Sequence, residues 1–198
     1  MKYDFIEIGT SDFDTLIQRA NDSTVGISIE PINYYLNRLP NPPNVTKLNC
    51  AVSLDGNSGR DKIFYIPDEV IREHKLPHWI RGCNSMSDYH YQHKKRKLQD
   101  LVVTEEVDTI PIGDILEKHK VHSLEFLKVD TEGSDCYILQ SLIPVLKDRS
   151  QVFWPKKIQF ETNILSTKSL IDETINLYIH LGYSVSRKGA DNTQLSLK

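Results

Sequence analysis

The 198-residue sequence predicts an α/β fold, doubly wound around a mostly parallel sheet and closed by an antiparallel C-terminal hairpin. Three observations predict it. Short apolar runs alternate with segments of helical periodicity along most of the chain. Several runs end abruptly in a polar or acidic residue, as strands do where such a sheet presents its carboxyl edge. The chain then finishes on two strand-like stretches around a turn, which departs from the alternation.

The elements follow in order. Tyr3–Ile8 reads as a buried strand, followed by a short helix ending about Arg19. Val25–Ile29 is a second strand, and a helix from Ile32 to Leu39 stops at the proline-rich Pro40–Pro43. Val45–Leu54 alternates and carries β-branched residues, which predicts a third strand. From Asp55 to Leu101 regularity fades: Lys62–Ile66 reads as an extra strand, the rest as loops and a short basic helix. Val102–Thr109 is strand-like and is followed by a helix near Ile112–His119. Leu124–Val129 is a buried strand, and Ser134–Lys147 a helix with Tyr137, Ile138, Leu139, Leu142 and Leu146 toward the core. Lys157–Phe160, a helix over Lys168–Leu181 closed by Gly182, and the hairpin Tyr183–Arg187 and Thr193–Leu197 complete the chain.

The bulk numbers bound the function. The length suits one domain, 1–198, with residues 55–101 as an insertion or lid. A formal charge of -3 argues against a surface built to neutralise nucleic-acid phosphates. No apolar run is long enough to span a bilayer, and MKYDFIEIG has no secretion-signal pattern. Cys50, Cys83 and Cys136 form no CxxC pair, so buried, idle thiols in a cytoplasmic protein are expected.

The strand ends converge on one edge: Gly9–Ser11, Glu30, Ala51–Ser53, Asp130 and Glu161–Asn163. Helix capping by Asp12 and Ser134 accounts for single residues but not for acidic groups after four strands. A dinucleotide site needs G-x-G-x-x-G so that amides approach a pyrophosphate. Here Gly9 stands alone, Ser11 takes the second glycine position, and Glu7 adds a negative charge. S-adenosylmethionine carries an ammonium and a sulfonium and no phosphate, so it suits such a loop. Glu7 is expected near its amino-acid end and Glu30 on its ribose.

The segments FIEIGTSDFDT (5–15), IEP (29–31), NCAVS (49–53), VDTIPIGDIL (107–116), LEFLKVDTEGSDCYILQSL (124–142) and IQFETN (158–163) make the resemblance specific. In that order the chain resembles the FkbM family of S-adenosylmethionine-dependent methyltransferases. The resemblance implies the seven-stranded, Rossmann-like methyltransferase sheet, with its last strand inserted antiparallel. It assigns Glu7, Gly9, Thr10, Ser11, Glu30 and Pro31 to the cofactor, and Ala51, Val52 and Ser53 to the adenine. Ser85, in Gly82–Met86, is expected near the methionine end. Family members commonly carry a second glycine where Phe13 stands. The chain opens almost at its first strand, so either residues 67–98 cover the site or the domain is cut from a longer protein, fused to other glycan-processing domains.

For catalysis, methyl transfer to oxygen needs the acceptor placed and its proton removed. Asp130 and Glu161 are the expected catalytic carboxylates. Asp130, Glu161 and Asn163 also resemble the divalent-metal arrangement of catechol-type O-methyltransferases, where Mg²⁺ or another divalent cation would lower the acceptor's pKa. The competing reading has Glu132 and Glu161 bonded to backbone or to Lys128. Without metal, Asp130 or one of His78, His90 and His93 is the base. The basic run His90–Lys97 is either a solvated helix face or a dock for an anionic or glycan acceptor, with Tyr89, Tyr91 and Trp79 stacking on sugar rings. The family resemblance implies a hydroxyl acceptor, a sugar or glycan in the first place. A non-catalytic cofactor- or glycan-binding module and an NAD-dependent oxidoreductase are the rival readings.

Overall fold

The computed structural model describes residues 1–86 and 89–198. Its elements are β1 (Lys2–Ile8), β2 (Gly26–Ile29), α1 (Asn33–Arg38), β3 (Val45–Leu48), β4 (Ala51–Val52), β5 (Gly59–Tyr65), α2 (Asp68–Glu73), α3 (Tyr91–Lys95), β6 (Val103–Ile110), α4 (Ile112–Lys118), β7 (Ser123–Val129), α5 (Asp135–Lys147), β8 (Pro155–Glu161), α6 (Lys168–His180), β9 (Tyr183–Lys188) and β10 (Asn192–Leu197). Short 3-10 turns join several of them.

Seven strands form the main sheet in the order β3-β2-β1-β7-β8-β10-β9. The pairs β3–β2, β2–β1, β1–β7 and β7–β8 are parallel, while β10 runs against both β8 and β9. The predicted hairpin is therefore present, with its second strand inserted into the sheet. Gly182, at φ 101°, ends α6 and turns the chain into β9, a conformation that costs glycine little.

The core explains why the central strands read so clearly. Ile6, Ile8, Ile27, Ile29, Leu127, Val129, Ile158 and Phe160 are buried together with the inner faces of α4, α5 and α6. Phe5 and Phe126 point to the other face, where they meet Ile17, Leu36 and Leu39. Each such buried side chain contributes about 1.5–3 kcal/mol relative to exposure.

Several expectations are corrected. The short helix before Arg19 is a single 3-10 turn, Ile17–Arg19. Ser11 and Asp14 take positive φ, and Leu16 N donates to Glu7 rather than into a helical ladder. The predicted third strand breaks at Asn49–Cys50: β3 stays in the main sheet, and β4 joins β6 and β5 in a separate three-stranded sheet. Asn49 Nδ2 causes the break by donating to the carbonyls of Glu30 and Pro31. Tyr137 is 50% exposed, because the buried stripe of α5 runs through Cys136, Ile138, Leu139, Leu142, Ile143 and Leu146. The three cysteines are free and buried, as expected. Among the described residues no helix is long and apolar enough to cross a membrane.

Candidate active site

A cavity of about 290 Å³ opens where β1, β2, β7 and β8 end. Gly9–Ser11 and Phe13 form its floor, Glu30 and Pro31 one side, and Ala51, Val52 and Ile63 another. Gly82, Asn84 and Met86 make a wall, and Lys128, Asp130, Glu132 and Glu161 form the acidic end.

Backbone geometry sets the floor. Gly9 has φ 79°, and a Cβ there would collide with the Asp130 carbonyl oxygen. Gly9 N donates to Ile29 O, and Asp130 N to Ile8 O, so three strand ends are laced together at this residue. The next two amides are taken by Glu30. Its Oε2 accepts from Thr10 N at 3.1 Å and Ser11 N at 2.7 Å, and its Oε1 accepts from Ile32 N at 2.9 Å. Burial pushes the Glu30 carboxyl up, and the Ile32, Ser11 and Thr10 amides pull against that. A loop whose amides already hold a carboxylate has no free nest for a pyrophosphate.

Glu7 lies behind the floor, fully buried, with Oε1 2.9 Å from Lys128 Nζ and Oε2 accepting from Leu16 N at 2.8 Å. Lys128 Nζ also reaches Asp130 Oδ2 at 3.2 Å. Burial works against the Lys128 ammonium, but Glu7 and Asp130 outweigh it and hold its pKa above the ordinary value.

At the acidic end, ligand-capable oxygens of Asp130, Glu132 and Glu161 all lie within 4.8 Å of one another. Desolvation first, then the neighbouring carboxylates, raises the pKa of both Glu132 and Glu161. Glu161 Oε2 is buried and has no hydrogen-bond partner among the described residues. Asp135 is adjacent but spent: its carboxylate accepts from Thr131 N, Thr131 Oγ1 and Glu161 N. These bonds brace the β7 and β8 ends that carry the trio.

His90 is set against Glu132, with Nε2 2.9 Å from Oε2. Its Nδ1 accepts from Gln92 N at 3.1 Å and caps α3. The proton of the neutral ring therefore sits on Nε2 and faces Glu132. Burial lowers the His90 pKa to about 4, in keeping with a neutral ring. Of the other two histidines, His93 is fully buried and its ring nitrogens lack partners among the described residues. His78 is exposed, edge-on to Phe13.

The cavity brings together nine of the residues expected from sequence: Gly9, Thr10, Ser11, Glu30, Pro31, Ala51, Val52, Asp130 and Glu161. Four others stand outside its lining. Glu7 is engaged with Lys128 and Leu16. Ser53 Oγ bonds Asp55 and Gly56. Ser85 pairs its backbone with Phe64. Asn163 Oδ1 accepts from Leu165 N. The capping reading also fails: Ser134 makes no side-chain cap, and Asp12 is bound by two arginines. Trp79 has one face covered by the Arg96 guanidinium at 4.8 Å, while Tyr89 and Tyr91 remain about 40% exposed. Sequence reasoning missed Lys128 and Ile63 as lining residues. Lys128 entered the sequence reading only as a candidate partner of Glu132 and Glu161, whereas it pairs with Glu7 and Asp130.

This sheet order, with one strand inserted antiparallel and a cavity at the carboxyl edge, is that of a Rossmann-like methyltransferase. The family model for the methyltransferase FkbM domain matches residues 6–185, and the chain belongs to that family. The chain matches no curated protein and no solved structure.

Proposed function

We propose that this protein is an S-adenosylmethionine-dependent O-methyltransferase acting on a hydroxyl group, of a sugar or glycan in the first place. One observation carries the cofactor reading. The Thr10 and Ser11 amides are committed to Glu30, in a cavity whose charged lining is acidic (Asp14, Glu30, Asp130, Glu132 and Glu161) apart from Lys128. That donor set repels a pyrophosphate and suits a cationic, phosphate-free cofactor, which disfavours NAD.

In this reading Glu30 is the partner of the ribose hydroxyls, and Gly9–Ser11 admits close backbone approach. Ala51 and Val52 flank the adenine. Glu7 acts at one remove, by fixing Lys128 and through it Asp130. S-adenosylmethionine bound here supplies a methyl group on a sulfonium, open to in-line attack. Asp130, Glu132 and Glu161 take the acceptor's proton as a unit, since carboxylates this close share protons rather than titrate singly. The elevated pKa values of Glu132 and Glu161 suit a base working near neutrality. His90 holds one oxygen of Glu132 and leaves the other toward the cavity. The same hard oxygens match the donor type of Mg²⁺, so the test includes the cation. The sugar class rests on the family resemblance alone.

The test is calorimetric titration of S-adenosylmethionine into chelator-treated protein, with and without Mg²⁺, and of NAD(H) as control. Saturable binding of the methyl donor alone is expected. Labelled-methyl transfer to a panel of methyl glycosides then separates an enzyme from a binding module, for which Asp130→Ala changes nothing. Failure of S-adenosylmethionine to bind under either condition would sink the proposal.

A further inference from the structure

The wall of the cavity at 82–86 is not part of the main sheet. What seats it there is a set of contacts between the β1 loop and one arginine. Arg81 Nε lies 2.7 Å from Asp12 Oδ1, and the Asp12 side chain is 2% exposed. The Arg81 N–H is not aligned on that oxygen, so the contact is ionic rather than a hydrogen bond. The Arg81 guanidinium stands 4.8 Å over the Phe13 ring. Its carbonyl oxygen accepts from Ser11 Oγ at 3.2 Å and from Asn84 Nδ2 at 3.1 Å, one residue from the floor and one from the wall. A Cβ at Gly82 would stand 3.0 Å from the Phe13 ring, so the backbone packs closely there.

Asp12 is shared. Arg38 Nε approaches its other oxygen at 2.8 Å, and Arg38 continues to Asp68, which also meets Arg72. Alternating charges thus run from the wall through the β1 loop to α1 and α2. Asp12 and Asp68 are both buried, which makes this chain less sensitive to screening than surface pairs. On its other side the wall is tied by backbone pairing of Ser85 with Phe64 on β5.

We propose that Asp12, Phe13 and Arg81 form a clasp that positions the 82–86 wall over the cavity, and that affinity for S-adenosylmethionine depends on it. The inference rests on the cofactor reading above. Asp12 and Arg81 are positioning residues, and Phe13 is the part of the cavity floor against which they hold the wall. Asp12 and Arg81 do not line the cavity, and they act through Gly82, Asn84 and Met86, which do.

The experiment compares Asp12→Asn, Arg81→Met and Arg81→Lys with the unaltered chain by S-adenosylmethionine calorimetry and by hydrogen exchange. Arg81→Met keeps the stem and removes the charge. The expected result is Kd raised about tenfold in Asp12→Asn and Arg81→Met, the scale of one lost buried charge contact. The Cys83 and Ser85 amides, bonded to Ile80 O and Phe64 O, should exchange faster while those of β1 and β7 keep their protection. Arg81→Lys keeps the charge but loses the planar ring contact and should fall between. Where Asp12→Asn does not fold, the two Arg81 variants carry the test, since Arg81 lies outside the cavity lining. Unchanged Kd in the folded variants overturns the clasp. So does faster exchange spread over the whole chain, which would mark a general staple. If the unaltered chain binds no S-adenosylmethionine, the cofactor reading fails first and the clasp with it.

Discussion

Lys128 Nζ sits 2.9 Å from Glu7 Oε1, two neighbouring strands apart by 121 residues of sequence, and Glu7 is fully buried. Such a pair contributes little against an apolar replacement of both partners, but removing one partner leaves a buried charge uncompensated. Lys128→Met is expected to destabilise the fold by about 3–5 kcal/mol. Glu7→Gln combined with Lys128→Met should recover most of that loss, because Gln still accepts from Leu16 N. Urea denaturation of the two variants measures both. Equal stabilities would show that the pair is not what keeps Glu7 inside.

Glu30 makes a second, sharper prediction. Amide donors reach both of its oxygens, so Glu30→Gln must turn its NH₂ toward one of them. An expected loss of about 1–3 kcal/mol in stability follows from the donors left facing an NH₂. Under the proposed function, S-adenosylmethionine affinity falls at least about tenfold as well. Calorimetry of the folded variant checks this, and unaltered affinity would remove Glu30 from the cofactor site.

What was legible in sequence follows from what is local. β2 is a short run buried on both faces and β1 is buried from Phe5 to Ile8, while β7 and β8 carry apolar residues at recurring buried positions, so local composition and pattern mark all four. Gly9, Glu30, Asp130 and Glu161 were legible because each stands at or just past the end of such a run. The split of the third strand was not, because Asn49 is recruited by carbonyls 18 and 19 residues away. Nor was the separate sheet of β4, β5 and β6, since strand partners are a tertiary choice. His90 against Glu132 and Arg81 against Asp12 are likewise long-range. The family resemblance placed Ser53 and Ser85 at the site; Ser53 Oγ bonds Asp55 and Gly56, and the Ser85 backbone pairs with Phe64 on β5.

Stability should depend on pH in a way set by the acidic end. Glu132 and Glu161 have folded pKa values raised above the ordinary 4.5, to the alkaline side of neutrality, chiefly by burial. The fold therefore holds protons that the unfolded chain releases. Their contribution is full below the unfolded pKa and is lost as pH rises through the folded values. His90 and His93, lowered to about 4 from 6.5, work in the opposite sense, adding stability as pH climbs toward 6.5. The opposed slopes offset each other between about pH 4.5 and 6.5, so the net expectation is a plateau there and a decline above it, with a slope of about 1.4 kcal/mol per pH unit for each proton held. Glu161→Gln should flatten that decline, and Mg²⁺ at pH 8 should raise the melting temperature if the trio holds the cation. Melting curves from pH 5 to 9 decide it; a decline of the same slope in Glu161→Gln would mean that the trio is not its source.

His90 has two separable duties, and substitution can part them. Its Nδ1 caps α3 through Gln92 N, and its Nε2–H holds Glu132. His90→Ala loses both, the cap worth about 1 kcal/mol and the bond to the proton-bearing Glu132 carboxyl about 0.5–1.5 kcal/mol. Asparagine is among the best capping residues but is too short to reach Glu132 as the imidazole does. His90→Asn should therefore regain the cap's share of stability while leaving Glu132 unheld, so its methyl transfer should stay as low as that of His90→Ala. Urea denaturation gives the first quantity and labelled-methyl transfer to any acceptor found in the glycoside panel gives the second. Restoration of transfer by asparagine would mean that His90 serves the helix alone, and that Glu132 keeps its place without it.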